Sequence, residues 1–346
     1  MSETTLHWVG IDVAGETFDA AVARPGLRPD PQTLRQLPAE TFARTPEGVA
    51  ACVAWLREEL GKPNPLPARV VMEATGTYSI ELTAMLCKEC PELSPAIANP
   101  QQTAAHRDSL GLRNKTDRFD ARALAFYGLE RIPAPYEPLS PQQAELRALS
   151  RCRDGLMTTK TAHANQLAQN PAARFARKSL KRLIAHLEKE IDKLEKEMRA
   201  VIENNPDLKR DYDLLTTIPG VGFITAAVVL AEVGDLRRFG TSRQVAAFAG
   251  VTPSRKESGK SKSPGRMSKK GNARIRQALY MASLSACAHN LQLRTAYERM
   301  TGSGKEPMMA LGAVMRKLIV LMRAIIVSET PFNPCGKTRG KVLAHG

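Results

Sequence analysis

Aromatic side chains make up only 5% of this chain, and its six cysteines are scattered. Cys87 and Cys90 form one C-x-x-C, but no second pair or Cys/His cluster completes a zinc site. The thiols therefore read as structural, in keeping with a reducing cytoplasm. The opening stretch, MSETTLHWVGID, has no charged-then-apolar leader pattern. The longest apolar run near the C-terminus, Leu311 to Val327, is broken by Arg316, Lys317 and Arg323, which argues against a membrane span. Acid is also in short supply. Fifty Lys and Arg face 35 Asp and Glu, a net charge of +15. That balance says nothing about fold, but it points to a polyanionic partner, nucleic acid before membrane. What is present is enough chain, 346 residues with 43% apolar content, for two or three domains with buried cores.

The pattern divides into three parts. The first, residues 1–135, reads as α/β. His7 to Ala14 and Thr17 to Arg24 are strands joined by a tight turn at Ala14-Gly15, so they should pair as a hairpin. Glu40 to Ala43 is a third, short strand. Pro46 to Leu60 has helical periodicity, Arg69 to Glu73 is an apolar strand ending in an acid, Tyr78 to Cys90 is helical, and Pro95 to Ala98 is a strand. Thr116 to Leu129 reads as a helix with Thr116 as its N-cap. Strands followed by alternating strands and helices imply a mixed sheet flanked by helices.

The second part, residues 136–208, follows the link IPAPYEPLSP and is helical. Leu180, Ile184, Leu187, Ile191, Leu194, Met198 and Val201 alternate spacings of four and three, an a/d heptad seam that requires a partner helix. Two readings stand side by side, a long hairpin packing on itself and a dimerisation arm. The third part, residues 209–346, holds LLTTIPGVGFITAAVVLAEV, where Gly220 and Gly222 sit between two helical stretches. This resembles a helix-hairpin-helix whose glycines admit a phosphate to backbone N–H groups, although a plain helical turn has the same look. Ser254 to Arg276 then carries nine Lys or Arg against one acid, Glu257. It cannot form an amphipathic core element. It reads as a cationic loop leading into a helix from about Asn272, either a solvated surface or, with Arg255, Lys256, Lys260, Lys262, Arg266, Lys269 and Lys270, a phosphate-contacting element.

Four acids stand out. Asp12 and Glu73 lie at strand ends, and Asp117 and Asp120 lie three apart on one helix face. Two unit charges 4 Å apart repel by about 4 kcal/mol at an effective dielectric near 20, so a converging set would be costly if bare. Divalent cations remove that cost. Mg²⁺ takes carboxylate, water and phosphate oxygens, and a pair of ions can stabilise both attacking and leaving oxygens of a phosphoryl transfer. Singly, each acid has a plain explanation as a cap or surface charge, least readily Asp12 within an apolar strand.

At these residues the sequence resembles a family. VGIDVAGETFDAAV, VVMEATGTYS and NKTDRFDARALA look like the RuvC-like (RNase H-like) DEDD domain of insertion-sequence transposases related to the Piv DNA invertases. TTIPGVGFITAAVVLAEVGDLRRFG and the following stretch to Ser283 look like that family's C-terminal transposase domain. The resemblance implies an α/β RuvC-like first domain, a coiled-coil middle and a mainly α C-terminal domain. It implies Mg²⁺, with Mn²⁺ as a substitute, held by Asp12, Glu73, Asp117 and Asp120. The family's nucleophilic serine falls at Ser258, in KESGK, with Ser254, Ser261, Ser263 and Ser268 nearby. Further implications are a bridge RNA pairing with donor and target DNA, dimers joining into a tetramer, a composite site shared between subunits, a serine–DNA intermediate, and a cytoplasmic, nucleoid-associated location in a bacterium. A junction-resolving nuclease, with the same acids activating water and Ser258 only touching phosphate, is the alternative. A non-enzymatic nucleic-acid-binding protein is a third.

Overall fold

The computed structural model describes residues 6–28, 30–61, 67–110, 117–169, 174–254, 257–258, 261–262 and 266–334. The chain forms two compact units, Met1–Pro138 and Leu139–Gly346.

The first unit is built on a mixed sheet. Its strands are β1 (His7–Val13), β2 (Thr17–Ala23), β3 (Ala39–Ala43), β4 (Ala68–Glu73) and β5 (Ala96–Ala98), in the order β3-β2-β1-β4-β5. β1 and β2 form the antiparallel hairpin that the Ala14-Gly15 turn implies, and β4 and β5 run parallel to β1. The helices are α1 (Pro31–Gln36), α2 (Pro46–Glu59), α3 (Thr77–Glu89), α4 (Pro100–Ser109) and α5 (Asp117–Arg131). Side chains on a strand alternate between faces. Val9, Ile11 and Val13 of β1 point with Val70 and Met72 of β4 into a core shared with Val49 and Leu56 of α2 and Leu82 and Leu86 of α3. Trp8, Gly10 and Asp12 face the other way, toward α5. Both faces are covered, which is why these strands read as nearly continuous apolar runs.

The α5 side has a specific requirement. A Cβ on Gly10 would collide with the backbone of Ala121, Leu124 and Ala125, and one on Gly128 would collide with the Trp8 ring. The bare α-carbons let helix and strand touch backbone to backbone, and this draws Asp120 of α5 toward Asp12 of β1. Gly10→Ala is therefore expected to destabilise the first unit by about 1–3 kcal/mol or more, because the obstacle is backbone and cannot rotate aside. Thermal denaturation checks this. A variant melting with the parent would mean that α5 has room to move.

Two helices are additions to the sequence reading, α1 and α4. Asp30 and Asn99 accept from the first-turn amides and each precedes a proline, an N-cap followed by proline at N1. Thr116, expected to cap α5, lies outside the described residues.

In the second unit α6 (Pro141–Gln169) and α7 (Arg174–Glu203) form a hairpin. Arg153 pairs with Glu195 at 2.7 Å and Lys160 with Glu188 at 3.2 Å, so one number rises as the other falls and the helices run antiparallel. The seam residues Leu187, Ile191 and Met198 are buried, and Leu180, Ile184, Leu194 and Val201 half-buried, on the side that α6 covers. α6 thus packs along α7 within the chain. Next come α8 (Pro206–Thr216), α9 (Phe223–Val233), α10 (Ser242–Phe248), the short strands β6 (Pro253–Ser254), β7 (Glu257–Ser258), β8 (Ser261–Lys262) and β9 (Arg266–Met267), and α11 (Ala273–His289), α12 (Leu291–Gly302) and α13 (Pro307–Ser328). α13 threads the core through Val314, Leu318, Ile319, Met322 and Ile326. Its Arg323 donates to the Phe239 carbonyl. Among the described residues no helix is long and apolar enough to cross a membrane.

Candidate functional site

β1 and β4 are parallel neighbours, with Ile11 opposite Met72. Asp12 and Glu73 are the next residues on each strand, at the same end of the sheet and on the face that α5 covers. α5 brings Asp120, which is buried. All three line one cavity of about 240 Å³ with Thr75, Thr103, Arg107, Ala123, Leu124 and Tyr127.

α4 supplies what charge repulsion would otherwise forbid. The Thr103 hydroxyl donates to Glu73 Oε2 at 2.7 Å. One turn later the Arg107 guanidinium donates to Asp120 Oδ1 at 2.7 Å. Asp120's hydrogen bond, against the cost of burial and with the charges of Asp120, Glu73 and Asp108, raises the Arg107 pKa above its ordinary value. Behind them, buried His106 bonds Glu130 through Nε2 at 2.7 Å and stacks edge-on against Tyr127, whose hydroxyl donates to Gln102. These contacts lock α4 onto α5. Thr103 and Arg107 were absent from the sequence reading; the Asn99-Pro100 start of α4 is the signal that finds them. A further acid, Asp19, sits directly across from Asp12 on β2, but its carboxylate takes the Thr41 hydroxyl and it does not line the cavity.

Asp117 is the first residue of α5, three before Asp120 and so on the same helix face; its side chain lies outside those described. Among the described residues no three His, Cys, Asp or Glu side chains are grouped closely enough to hold one ion. The donor set still fits a hard divalent cation. Mg²⁺ commonly takes one or two protein carboxylates and fills its octahedron with water and phosphate. Three carboxylates open on one cavity, and a guanidinium holds one of them where positive charge is needed.

In the second unit the cationic stretch is a hairpin in its described parts. β6 pairs with β9, Pro253 opposite Met267 and Ser254 opposite Arg266. β7 pairs with β8, Glu257 opposite Lys262 and Ser258 opposite Ser261. Ser258 thus stands at the last paired position of β7. Arg255, Lys256 and Lys260 lie outside the described residues, as do the side chains of Ser258, Lys262 and Arg266. Lys269 and Lys270 are exposed at the root.

That root is tightly fixed. A Cβ on Gly271 would strike Gly250, and the Thr252 and Ser268 hydroxyls bond at 3.1 Å. The helix expected from about Asn272 is α11, which Asn272 caps, and Asn272 donates to Glu232 at 2.8 Å. Glu232 is fully buried and receives Arg151 at 2.7 and 3.0 Å. Burial opposes its charge, but the hydrogen bonds from Arg151 and Asn272 and the charges of Arg151 and Arg147 outweigh it, and its carboxyl stays below the ordinary value. Glu232 therefore ties α6, α9 and the hairpin's root together. Gly220 has φ +99° and its bare α-carbon abuts Ala286 of α11, so packing alone requires glycine there. Gly222 is the exposed N-cap of α9.

Comparison with known proteins gives this geometry a relative. Residues 9–170 match the DEDD domain described as "Transposase", and residues 212–298 match the "Transposase IS116/IS110/IS902 family". The chain belongs to this family of DEDD transposases. It is thereby a recombinase-type enzyme, and it is related to the pilin gene-inverting proteins. It is 29% identical over 340 residues to the pilin gene-inverting protein of Moraxella bovis, covering 96% of this chain and 98% of that one. It is 28% identical over 340 residues to the Moraxella lacunata counterpart, with the same coverage. It is also 29% identical over 251 residues to the transposase for insertion sequence element IS1111A of Coxiella burnetii, covering 64% of this chain and 66% of that one. In this transposase-family chain the acid cavity falls within the first matched stretch and the cationic hairpin within the second.

Proposed function

We propose that this protein catalyses DNA strand cleavage and exchange, with Asp12, Glu73, Asp117 and Asp120 as the metal-binding set and Ser258 as the nucleophile. The observation that supports it is the convergence of Asp12, Glu73 and Asp120 on one cavity, in a domain whose family model is a DEDD transposase. That domain points to a divalent metal, and Mg²⁺, or Mn²⁺ in its place, is the ion we propose. When bound, it would neutralise the carboxylates and lower the pKa of a coordinated hydroxyl.

The chain's own groups have distinct tasks. Thr103 orients Glu73. Arg107 donates to Asp120 at 2.7 Å and aims it into the cavity; were a cation to bind Asp120, the guanidinium would be free to turn toward a phosphate. Ser258 attacks phosphorus, a protein–DNA phosphodiester replaces the DNA one, and the leaving DNA hydroxyl takes the proton. The bond energy is conserved, so the reverse attack by another DNA hydroxyl rejoins strands. The basic side chains around the hairpin, from Arg255 to Lys270, offset the charge developing on phosphorus. The helix-hairpin-helix at Gly220 and Gly222, a guide RNA pairing with donor and target DNA, and assembly from dimer to tetramer complete the reading.

Cleavage of duplex DNA carrying the element's ends, with the copurifying RNA retained, tests it. Mg²⁺ or Mn²⁺ should support cleavage and a chelator should stop it reversibly. Cleavage that persists after thorough chelation would remove the carboxylates' proposed role.

A further inference from the structure

The distal half of the α6–α7 hairpin carries a charge pattern that neither the acid cavity nor the cationic hairpin explains. From Gly155 to Leu187 the sequence has no Asp or Glu, yet it holds Lys160, Arg174, Arg177, Lys178, Lys181 and Arg182. Five of these six cations fall in the first nine residues of α7, and no acid lies in its first turn. Cations there stand against the helix dipole, so the helix's own stability does not account for them.

Geometry sorts these residues. Leu180, Ile184, Leu187 and Ile191 mark the side of α7 that α6 covers. At 100° per residue, Phe175, Lys178 and Arg182 fall on the opposite face, flanked by Arg174 and Lys181. Phe175 is 81% exposed. The four cations beside it are exposed, and among the described residues none has a carboxylate within ion-pair distance. Arg177 is different, since its guanidinium donates to the Leu167 carbonyl and closes the end of α6. A single exposed apolar residue needs no explanation. An exposed ring set among four unpaired cations on one helix face is the combination that binds unpaired nucleotides, with phosphates on the cations and a base on the ring.

We propose that this face of α7 is a separate nucleic-acid contact, taking a short unpaired stretch of RNA or DNA. From Arg174 to Arg182 it spans about 12 Å of helix, the reach of two or three nucleotides. It stands apart from the strand-exchange reading, because it uses no residue of the acid cavity or the cationic hairpin.

Fluorescence anisotropy of the full-length protein, freed of copurifying nucleic acid, with labelled oligo(U), oligo(dT) and a DNA duplex over a range of KCl tests this. Changing Arg174, Lys178, Lys181 and Arg182 together to Ala should flatten log affinity against log salt by roughly 0.7 per lost phosphate contact on single strands, about 3 in all. Phe175→Ala should weaken single-strand binding on the order of ten-fold without changing the slope, and should leave duplex binding nearly untouched. Comparing oligo(U) with oligo(dT) tells which nucleic acid the face prefers. Lys178→Arg with Lys181→Arg should bind like the parent, showing that charge is what matters; if the quadruple variant fails to fold, the Phe175 arm decides. Parental affinity and slope in the quadruple variant, or equal losses on duplex and single strands from Phe175→Ala, would overturn the proposal.

Discussion

Asp12→Asn, Glu73→Gln and Asp120→Asn should each end strand exchange while nucleic-acid binding survives. The expected fall in strand exchange is on the order of 10³-fold or more, the scale seen when one member of a concerted catalytic group is removed. Amide replacements are the informative choice because they keep the shape of each side chain. Glu73→Gln still offers an oxygen to the Thr103 hydroxyl, and Asp120→Asn still offers one to Arg107. What goes is the charge, and with it the ability to hold a hard cation beside a phosphate. Binding should tighten slightly, since a negative charge is removed from a surface that meets phosphates. Asp117→Asn belongs in the same series by its position on the helix face. Full recombination by any one variant would take that acid out of the site. Melting curves separate loss of chemistry from loss of fold, most usefully for Asp120, which is buried against α4.

Ser258→Ala should remove recombination just as completely while leaving folding and binding in place. Ser258 occupies the last paired position of β7 and precedes Gly259 in the sequence. Serine to alanine deletes one oxygen and should change stability little. A hydroxyl is a weak nucleophile until a base or metal activates it, and no Ser-His-Asp arrangement is visible in the sequence around Ser258. Retained activity in Ser258→Ala would pass the role to Ser261, its cross-strand partner, or to Ser254, Ser263 or Ser268.

Much of the first unit was legible because its signals are local. Apolar runs ending in Asp12 and Glu73 announce strands whose ends carry acids, and two aspartates three apart in α5 announce one helix face. The parallel register that puts Asp12 beside Glu73 is a long-range fact, and no local pattern contains it. α4 leaves little signal in the sequence because Pro100 to Ser109 is polar with no apolar stripe, although Asn99-Pro100 marks its start. With it go Thr103 and Arg107, the two residues that let the carboxylates coexist. Gly10 and Gly128 look incidental in sequence, and only the contact between α5 and β1 shows what they permit. In the second unit the heptad spacing asks for a partner helix, but spacing cannot say whether that partner belongs to the same chain. The cationic stretch read as a loop because strands of two residues leave no periodicity to detect.

A serine in the cationic hairpin is proposed to take the DNA phosphate, with the acid set holding the activating metal. The most direct measurement is recovery of a denaturation-resistant protein–DNA adduct from a stalled reaction, followed by peptide mapping of the labelled nucleotide. The account predicts a divalent-dependent adduct on the peptide containing Ser258, absent from Ser258→Ala and from Asp12→Asn. Metal-dependent cleavage of DNA by the parent protein with no adduct at any serine would contradict it and favour water as the nucleophile.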